Sequence, residues 1–373
     1  MEHQTRTMLV RLGAVVALAL AVAAGSWLWI ESERRAAETR DIARRSVVEQ
    51  LKEAFDGRDG NLPKTDGSLT RADATGGLAE LVAPPTPPAE SDSIVYAVDD
   101  ASTHYLVCTT LEDGSAYYAT GQGTFGGSAR SCAESADPVA VGQVLDARMT
   151  RPAADRYLET RPRLVSKSFI QRECSSAVDE GQLQGCYTGD HIYLIDLPQE
   201  EIRPELSVTA AHEMLHAVWQ HLSGSEQDRL TPLIEAAVRG NRELADRVGS
   251  HSGDDRTDEL HAILGTEVRD LSPELERHYA TFLQDRGVIV KQHLAYERVL
   301  RDLKAEIDRL KSELERLGAQ ADALLAAGDI TGYNALVDPY NALVAEANAK
   351  VRRYNELTAH TRPDERERTV EGR

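Results

Sequence analysis

The chain has 373 residues, enough for two or three domains at roughly 150 residues each. It carries 42 Lys plus Arg against 61 Asp plus Glu, and the resulting charge of −19 argues against attraction to nucleic acid or to an anionic lipid surface. Hydrophobic residues at 41% and charged residues at 28% exclude a disordered polyanion, a collagen and a polytopic transporter, but leave room for one membrane-length segment.

That segment is Leu12 to Ile30, which contains no charged residue and would span about 28 Å as a helix. Arg6 and Arg11 precede it, and Trp27 and Trp29 stand at its far end, where indoles suit the headgroup layer. An uncleaved signal anchor is the reading adopted over a signal peptide cut near Ala21, Ala23 or Ala24. It predicts a single-pass cell-membrane protein whose remaining chain is extracytoplasmic. The four cysteines fit that setting, because Cys108 with Cys132 and Cys174 with Cys186 are local pairs expected to form disulfides; four buried thiols are the alternative. No C-x2-C spacing supports an all-cysteine zinc site.

From Glu31 to Phe55 the sequence is helix-forming, with Ile42, Val47, Val48, Leu51 and Phe55 as an apolar face, and Gly57, Gly60 and Pro63 end it. After the linker Ala83-Pro84-Pro85-Thr86-Pro87-Pro88, strands are expected at Ile94–Val98, Tyr105–Leu111 and Ala116–Thr120, with Asp113-Gly114 as a hairpin turn. A long N-terminal helix followed by a small antiparallel sheet carrying Cys108 resembles the type IV pilin or pseudopilin module over roughly residues 9 to 135. The Gly-Phe-Thr processing site and the glutamate near the start of the pilin helix are absent, so processing and filament assembly are not implied. A plain membrane-proximal spacer is the other reading.

Further on, Val165–Ile170 and Ile192–Ile195 read as strands flanking the Cys174 to Cys186 loop, and Ser207 is expected to cap a helix. On that helix lies Ala211-His212-Glu213-Met214-Leu215-His216-Ala217, a full H-E-x-x-H. Two histidines four residues apart share a helix face and can reach one cation, which makes His212 and His216 the expected ligands of Zn2+. Glu213, one position on, can accept a proton from water rather than ligate, and is the expected catalytic base. Val208, Ala211, Leu215, Val218, Trp219 and Leu222 form the stripe that would bury the helix beside the site.

These residues resemble the zincin zinc metallopeptidases over roughly residues 160 to 285, with His191 to Asp196 in the place of the family's substrate-aligning edge strand. The metzincin variant is excluded, since Trp219 stands where its glycine belongs and His221 is one residue early. The gluzincin variant implies a glutamate from a downstream helix, and Asp258-Glu259-Leu260-His261-Ala262-Ile263-Leu264-Gly265-Thr266-Glu267 is the matching stretch. Glu259 is the first choice as third ligand, with Glu267 and His261 behind it. Tyr279, with His278 beside it, is the candidate donor to the oxyanion formed on attack. The resemblance implies hydrolysis of peptide bonds in a protein or peptide substrate.

Beyond Lys291, Tyr296, Leu300, Leu303, Ile307, Leu310, Leu314, Leu317, Ala321 and Leu324 form a coiled-coil seam of about four heptads. Gly328-Asp329 provides a turn, and Val337, Tyr340, Val344, Ala347, Val351, Tyr354 and Thr358 form a return seam in which Asp338-Pro339 is expected to restart the helix. An antiparallel hairpin is the simplest reading; a dimerising coiled coil, and docking of a protein partner on the arm, are the others. The expected fold class is α+β: a transmembrane anchor at 1–30, a pilin-like or spacer module at 31–150, a zincin-like domain at 151–288, a helical hairpin at 289–360 and a disordered tail at 361–373. The expected function is that of a membrane-anchored zinc metallopeptidase. Its rival is a non-catalytic surface or pilus-associated protein that keeps the zinc site as a scaffold.

Overall fold

The computed structural model describes residues 2–58, 62, 70–72, 94–98, 104–128, 132, 137–174, 184–197, 199–239, 244, 253–359 and 366–371, with side chains placed from residue 26 onward except at 70–72 and 253–255. The first helix, α1, runs unbroken over Glu2–Asp56. Of the expected membrane segment, only the side chains from Ser26 on are described; Trp27, Leu28, Trp29 and Ile30 among them are exposed. Among the described residues no helix is long and apolar enough to cross a membrane. The C-terminal part of α1 buries Val48, Leu51 and Phe55 as expected, whereas Ile42 stays exposed.

What α1 packs on is a five-stranded antiparallel sheet in chain order, β1 (Thr70–Ala72), β2 (Ile94–Val98), β3 (Tyr105–Thr110), β4 (Ser115–Thr120) and β5 (Gly123–Ser128). Alternation along β3 divides its side chains: Tyr105 and Val107 face α1, while Leu106 and Cys108 join a second core beneath the sheet. Gly114 takes φ +80° in the β3–β4 turn, as the Asp-Gly pair implies. β5, not anticipated, is made possible by small residues. A Cβ on Gly127 would lie 2.3 Å from Leu158 Cδ1, so glycine lets a helix lie directly on this strand.

Two short helices follow, α2 (Pro138–Asp146) and α3 (Arg151–Glu159). Asp137 caps α2 through the amides of Val139 and Ala140, and its other oxygen accepts from Leu164 N–H at 3.0 Å, tying α2 to β6 (Arg163–Val165). The expected strand Val165–Ile170 is corrected here: Ser166 accepts from the amide of Phe169 and starts α4 (Lys167–Glu173) instead. β6 then joins β7 (Gly185–Tyr187) and β8 (Ile192–Ile195) in a three-stranded sheet of order β6-β8-β7. Both disulfides form in the expected pairing, Cys108–Cys132 and Cys174–Cys186, and the second attaches β7 to the end of α4.

At the centre lies α5 (Glu205–His221), contacted by α2, α3, β7, β8 and two later helices, and buried almost all round. α6 (Gly224–Val238), α7 (Gly253–Thr266), which packs on α5, and α8 (Pro273–Tyr279) come next, followed by a helical hairpin, α9 (Arg286–Ala326) and α10 (Ile330–Thr358). One core extends from Leu106 through α5 to Tyr296, Leu300, Val351 and Tyr354 at the hairpin base, so it crosses the expected boundaries at 150 and 288. α10 is one continuous helix through Pro339, without the expected restart. The tail is corrected too: residues 366–371 lie against the hairpin, with Glu367 and Val370 bonded to α10, while the rest of 361–373 is outside the described residues.

Candidate metal centre

α5 presents His212 and His216 on one face, and α7 brings Glu259 against them. Close approach of the two helices depends on Gly265, where a Cβ would meet Leu215 Cδ1 at 2.3 Å and the Tyr279 ring at 2.9 Å. The two Nε2 atoms are 3.2 Å apart. Glu259 places Oε1 3.7 Å from His212 Nε2 and Oε2 3.4 Å from His216 Nε2. Tetrahedral zinc with bonds of about 2.0–2.1 Å sets neighbouring donors about 3.3 Å apart. The two Nε2 atoms stand about one such edge apart, each oxygen of the Glu259 carboxylate lies near that distance from one of them, and these three residues are the only group among the described residues arranged to hold a metal ion. The donor set of two imidazoles and a carboxylate fits zinc and leaves a coordination position open. The site is reachable from solvent, the histidine side chains being 16% exposed and Glu259 25%.

A fourth residue escaped the sequence reading. Asp258, adjacent to Glu259 at the start of α7, lies with Oδ1 2.8 Å from His216 Nδ1. A proton on Nδ1 donates to this carboxylate and leaves the Nε2 lone pair directed at the ion site. The signal was present in the Asp-Glu pair, but helix periodicity gives no reason for neighbouring residues to share a target. Burial disfavours charge on His216, yet Asp258 and Glu259 outweigh it and hold its pKa well above the ordinary value. Glu259 is likewise penalised by burial, but His212 and His216 pull it well below the usual carboxylate range.

Glu213 is buried beside the triad, and burial raises its pKa against the opposing pull of His216 and His212. Above it passes β7, where a Cβ on Gly185 would stand 3.0 Å from Glu213 Cγ and Oε1, so glycine at 185 is what lets backbone approach this carboxylate. β7 pairs with β8 through Cys186 opposite Tyr193, flanked by the bonds Ile195 N–H to Gln184 O at 2.8 Å and Thr188 N–H to His191 O at 3.0 Å. In an antiparallel ladder alternate residues bond the partner, so the main-chain groups of Gly185 and Tyr187 point outward from the sheet. The expectation for His191 to Asp196 is corrected accordingly: β8 is the middle strand, paired on both sides, and β7 is the edge beside the site.

The other candidates lie elsewhere. Glu267 sits two turns along α7 with Oε2 3.5 Å from His293 Nε2 on α9, and Glu205 Oε1 of α5 is 3.1 Å from His293 Nδ1. His261 is fully buried, its Nε2 2.8 Å from His278 Nε2. Tyr279 is also fully buried, and its hydroxyl donates to the His261 carbonyl at 2.8 Å. A phenol sealed in the core and committed to a main-chain carbonyl is not placed to meet an oxyanion, so Tyr279 is a packing residue.

No protein-family model matches this chain, no curated protein matches it significantly in sequence, and no solved structure matches it significantly in fold.

Proposed function

We propose that this chain is a zinc-dependent peptidase whose ligands are His212, His216 and Glu259 and whose general base is Glu213. The observation that carries the reading is the convergence of two imidazole nitrogens 3.2 Å apart with the Glu259 carboxylate, whose two oxygens lie 3.7 Å from His212 and 3.4 Å from His216, and a buried carboxylate next to them under the outward edge of β7. Zinc, when bound, would supply Lewis acidity toward a carbonyl and acidify water there.

The remaining chemistry belongs to the chain. The outward groups of Gly185 and Tyr187 can pair with an extended substrate main chain and lay its scissile carbonyl across Glu213. The Glu213 carboxylate takes a proton from the attacking water and delivers it to the departing amine. A carboxylate with a raised pKa is better matched to that transfer than a solvated one. Asp258 keeps His216 in one tautomer throughout. The two disulfides support an extracytoplasmic location, and the uncharged stretch Leu12 to Ile30 supports a membrane anchor.

The test is Glu213→Gln in the full chain, assayed for bound zinc and for hydrolysis of a quenched-fluorescent peptide library. Zinc content should be unchanged while turnover falls about 10²–10⁴-fold, the usual contribution of a positioned base. Equal turnover in the two proteins would defeat the assigned mechanism, and no turnover in the zinc-loaded wild type would leave the non-catalytic scaffold.

A further inference from the structure

Outside the metal centre, the segment 366–371 shows an unusual mode of attachment. Asn355 Oδ1 accepts from Glu367 N–H at 2.8 Å, and its Nδ2 donates to Glu367 O at 3.0 Å. Asn348 repeats the pair on Val370, with bonds of 2.7 and 2.8 Å. Each amide thus holds both main-chain groups of one residue, a contact that any non-proline residue can make.

The spacing explains the register. Seven residues of helix advance about 10.5 Å, and three residues of extended chain cover about 10 Å, so asparagines one heptad apart meet every third residue. The stripe continues along α10 at Asn341 and Asn334, the latter exposed. Asparagine costs helix stability at each position because its amide competes for backbone, so four of them on one heptad stripe call for a use. Facing Asn348 and Asn355, α9 carries Lys304 and Lys311, also one heptad apart, and both bind the Glu367 carboxylate, Lys311 at 2.6 Å. Val370 packs on the hairpin core formed by Leu310, Leu314, Tyr340, Val344 and Ala347.

We propose that the α9–α10 hairpin is a binding arm for an extended segment of a partner protein, one bearing a carboxylate and, three residues later, an aliphatic side chain. The asparagine ladder fixes the main chain, Lys304 and Lys311 select the acid, and the apolar seam selects the aliphatic residue. Residues 366–371 occupy the groove in cis and compete with the partner.

The full chain carrying Glu367→Lys and Val370→Asp opens the groove. A fluorescein-labelled peptide of sequence Asp-Glu-Arg-Glu-Arg-Thr-Val-Glu-Gly-Arg should bind it saturably, roughly tenfold or more tighter than it binds the unaltered chain, whose tethered tail competes at high effective concentration. Adding Asn348→Ala and Asn355→Ala should weaken binding by about tenfold or more, since four hydrogen bonds are lost. A Gly/Ser peptide retaining only a Glu and a Val three residues on should also bind saturably. In the unaltered chain, excess peptide should speed amide hydrogen exchange at Glu367 and Val370, a readout that needs no folded variant. Equal binding to open and unaltered chains, indifference to the asparagine substitutions, failure of the Gly/Ser peptide, or unchanged exchange would each overturn the proposal. Concentration-dependent dimerisation abolished by the tail substitutions would also overturn it, by assigning the groove to a second copy.

Discussion

The molecule contains two clusters of histidine, His212 with His216 on α5 and His261 of α7 with His278 of α8, and they have opposite characters. His212 and His216 face carboxylates and partial solvent access, and both have pKa values raised against the penalty of burial, His212 by Glu259 and His216 by Asp258 and then Glu259. His261 and His278 face each other, Trp219, Tyr279 and Phe282; burial, foremost, holds His261 well below its ordinary value and His278 at about 4. Residue type is therefore a poor guide to role in this fold. What separates a candidate ligand from a core histidine is the presence of an anion within reach and the absence of a sealing aromatic shell.

The contrast can be broken most severely at its carboxylate. Glu259→Ala removes one of three donors, so zinc affinity measured by competition with a chromogenic chelator should fall by more than the roughly 10–100-fold that an outer partner is worth. Glu267→Ala, whose carboxylate serves His293, should leave zinc affinity unchanged. The reverse result would move the ligand role to Glu267 and undo the assigned triad.

The sealed cluster makes a pH-dependent prediction of defined sign. His278 titrates at about 4 in the fold against 6.5 unfolded, so as pH falls the unfolded chain takes up the proton first. Its contribution to stability is complete above pH 6.5 and drains between 6.5 and about 4. At about 1.4 kcal/mol per pH unit the upper bound is about 3 kcal/mol. His278→Gln keeps a hydrogen-bonding partner for His261 but cannot titrate there. In urea unfolding of the metal-free protein, the wild type should lose about 2–3 kcal/mol more than this variant between pH 7.5 and 4.5. Parallel losses would mean that His278 is not held neutral.

How far these features were legible in the sequence depended on whether a local pattern carried them. H-E-x-x-H lies within one helical turn, and the cysteine pairs close short loops, so both could be read directly. The strands Tyr105–Thr110 and Ser115–Thr120 show β-prone runs, and the turn between them has its Asp-Gly. β5 did not show, because Gly126 and Gly127 serve the approach of α3 and Arg151 rather than strand propensity. Tyr279 looked like a donor because nothing local says that its hydroxyl will meet the His261 carbonyl. The charged tail read as disordered because its order comes from Asn348 and Asn355, whose heptad spacing matters only once an extended chain lies beside it.

Asp258 offers the finest test of the comparison, since it distinguishes orientation of a ligand from provision of one. Asp258→Asn preserves shape, and the amide oxygen can still accept from His216 Nδ1, so the tautomer survives while the negative charge is lost. Without that charge the imidazole is a weaker donor through Nε2, and zinc affinity should fall by about 10–100-fold, less than for Glu259→Ala. Zinc binding by Glu213→Gln, measured alongside, should match the wild type because that carboxylate is not a ligand. If Asp258→Asn binds zinc as tightly as the wild type, the negative charge at the 2.8 Å contact adds nothing to the ligand, and Asp258 acts on His216 through its hydrogen bond alone.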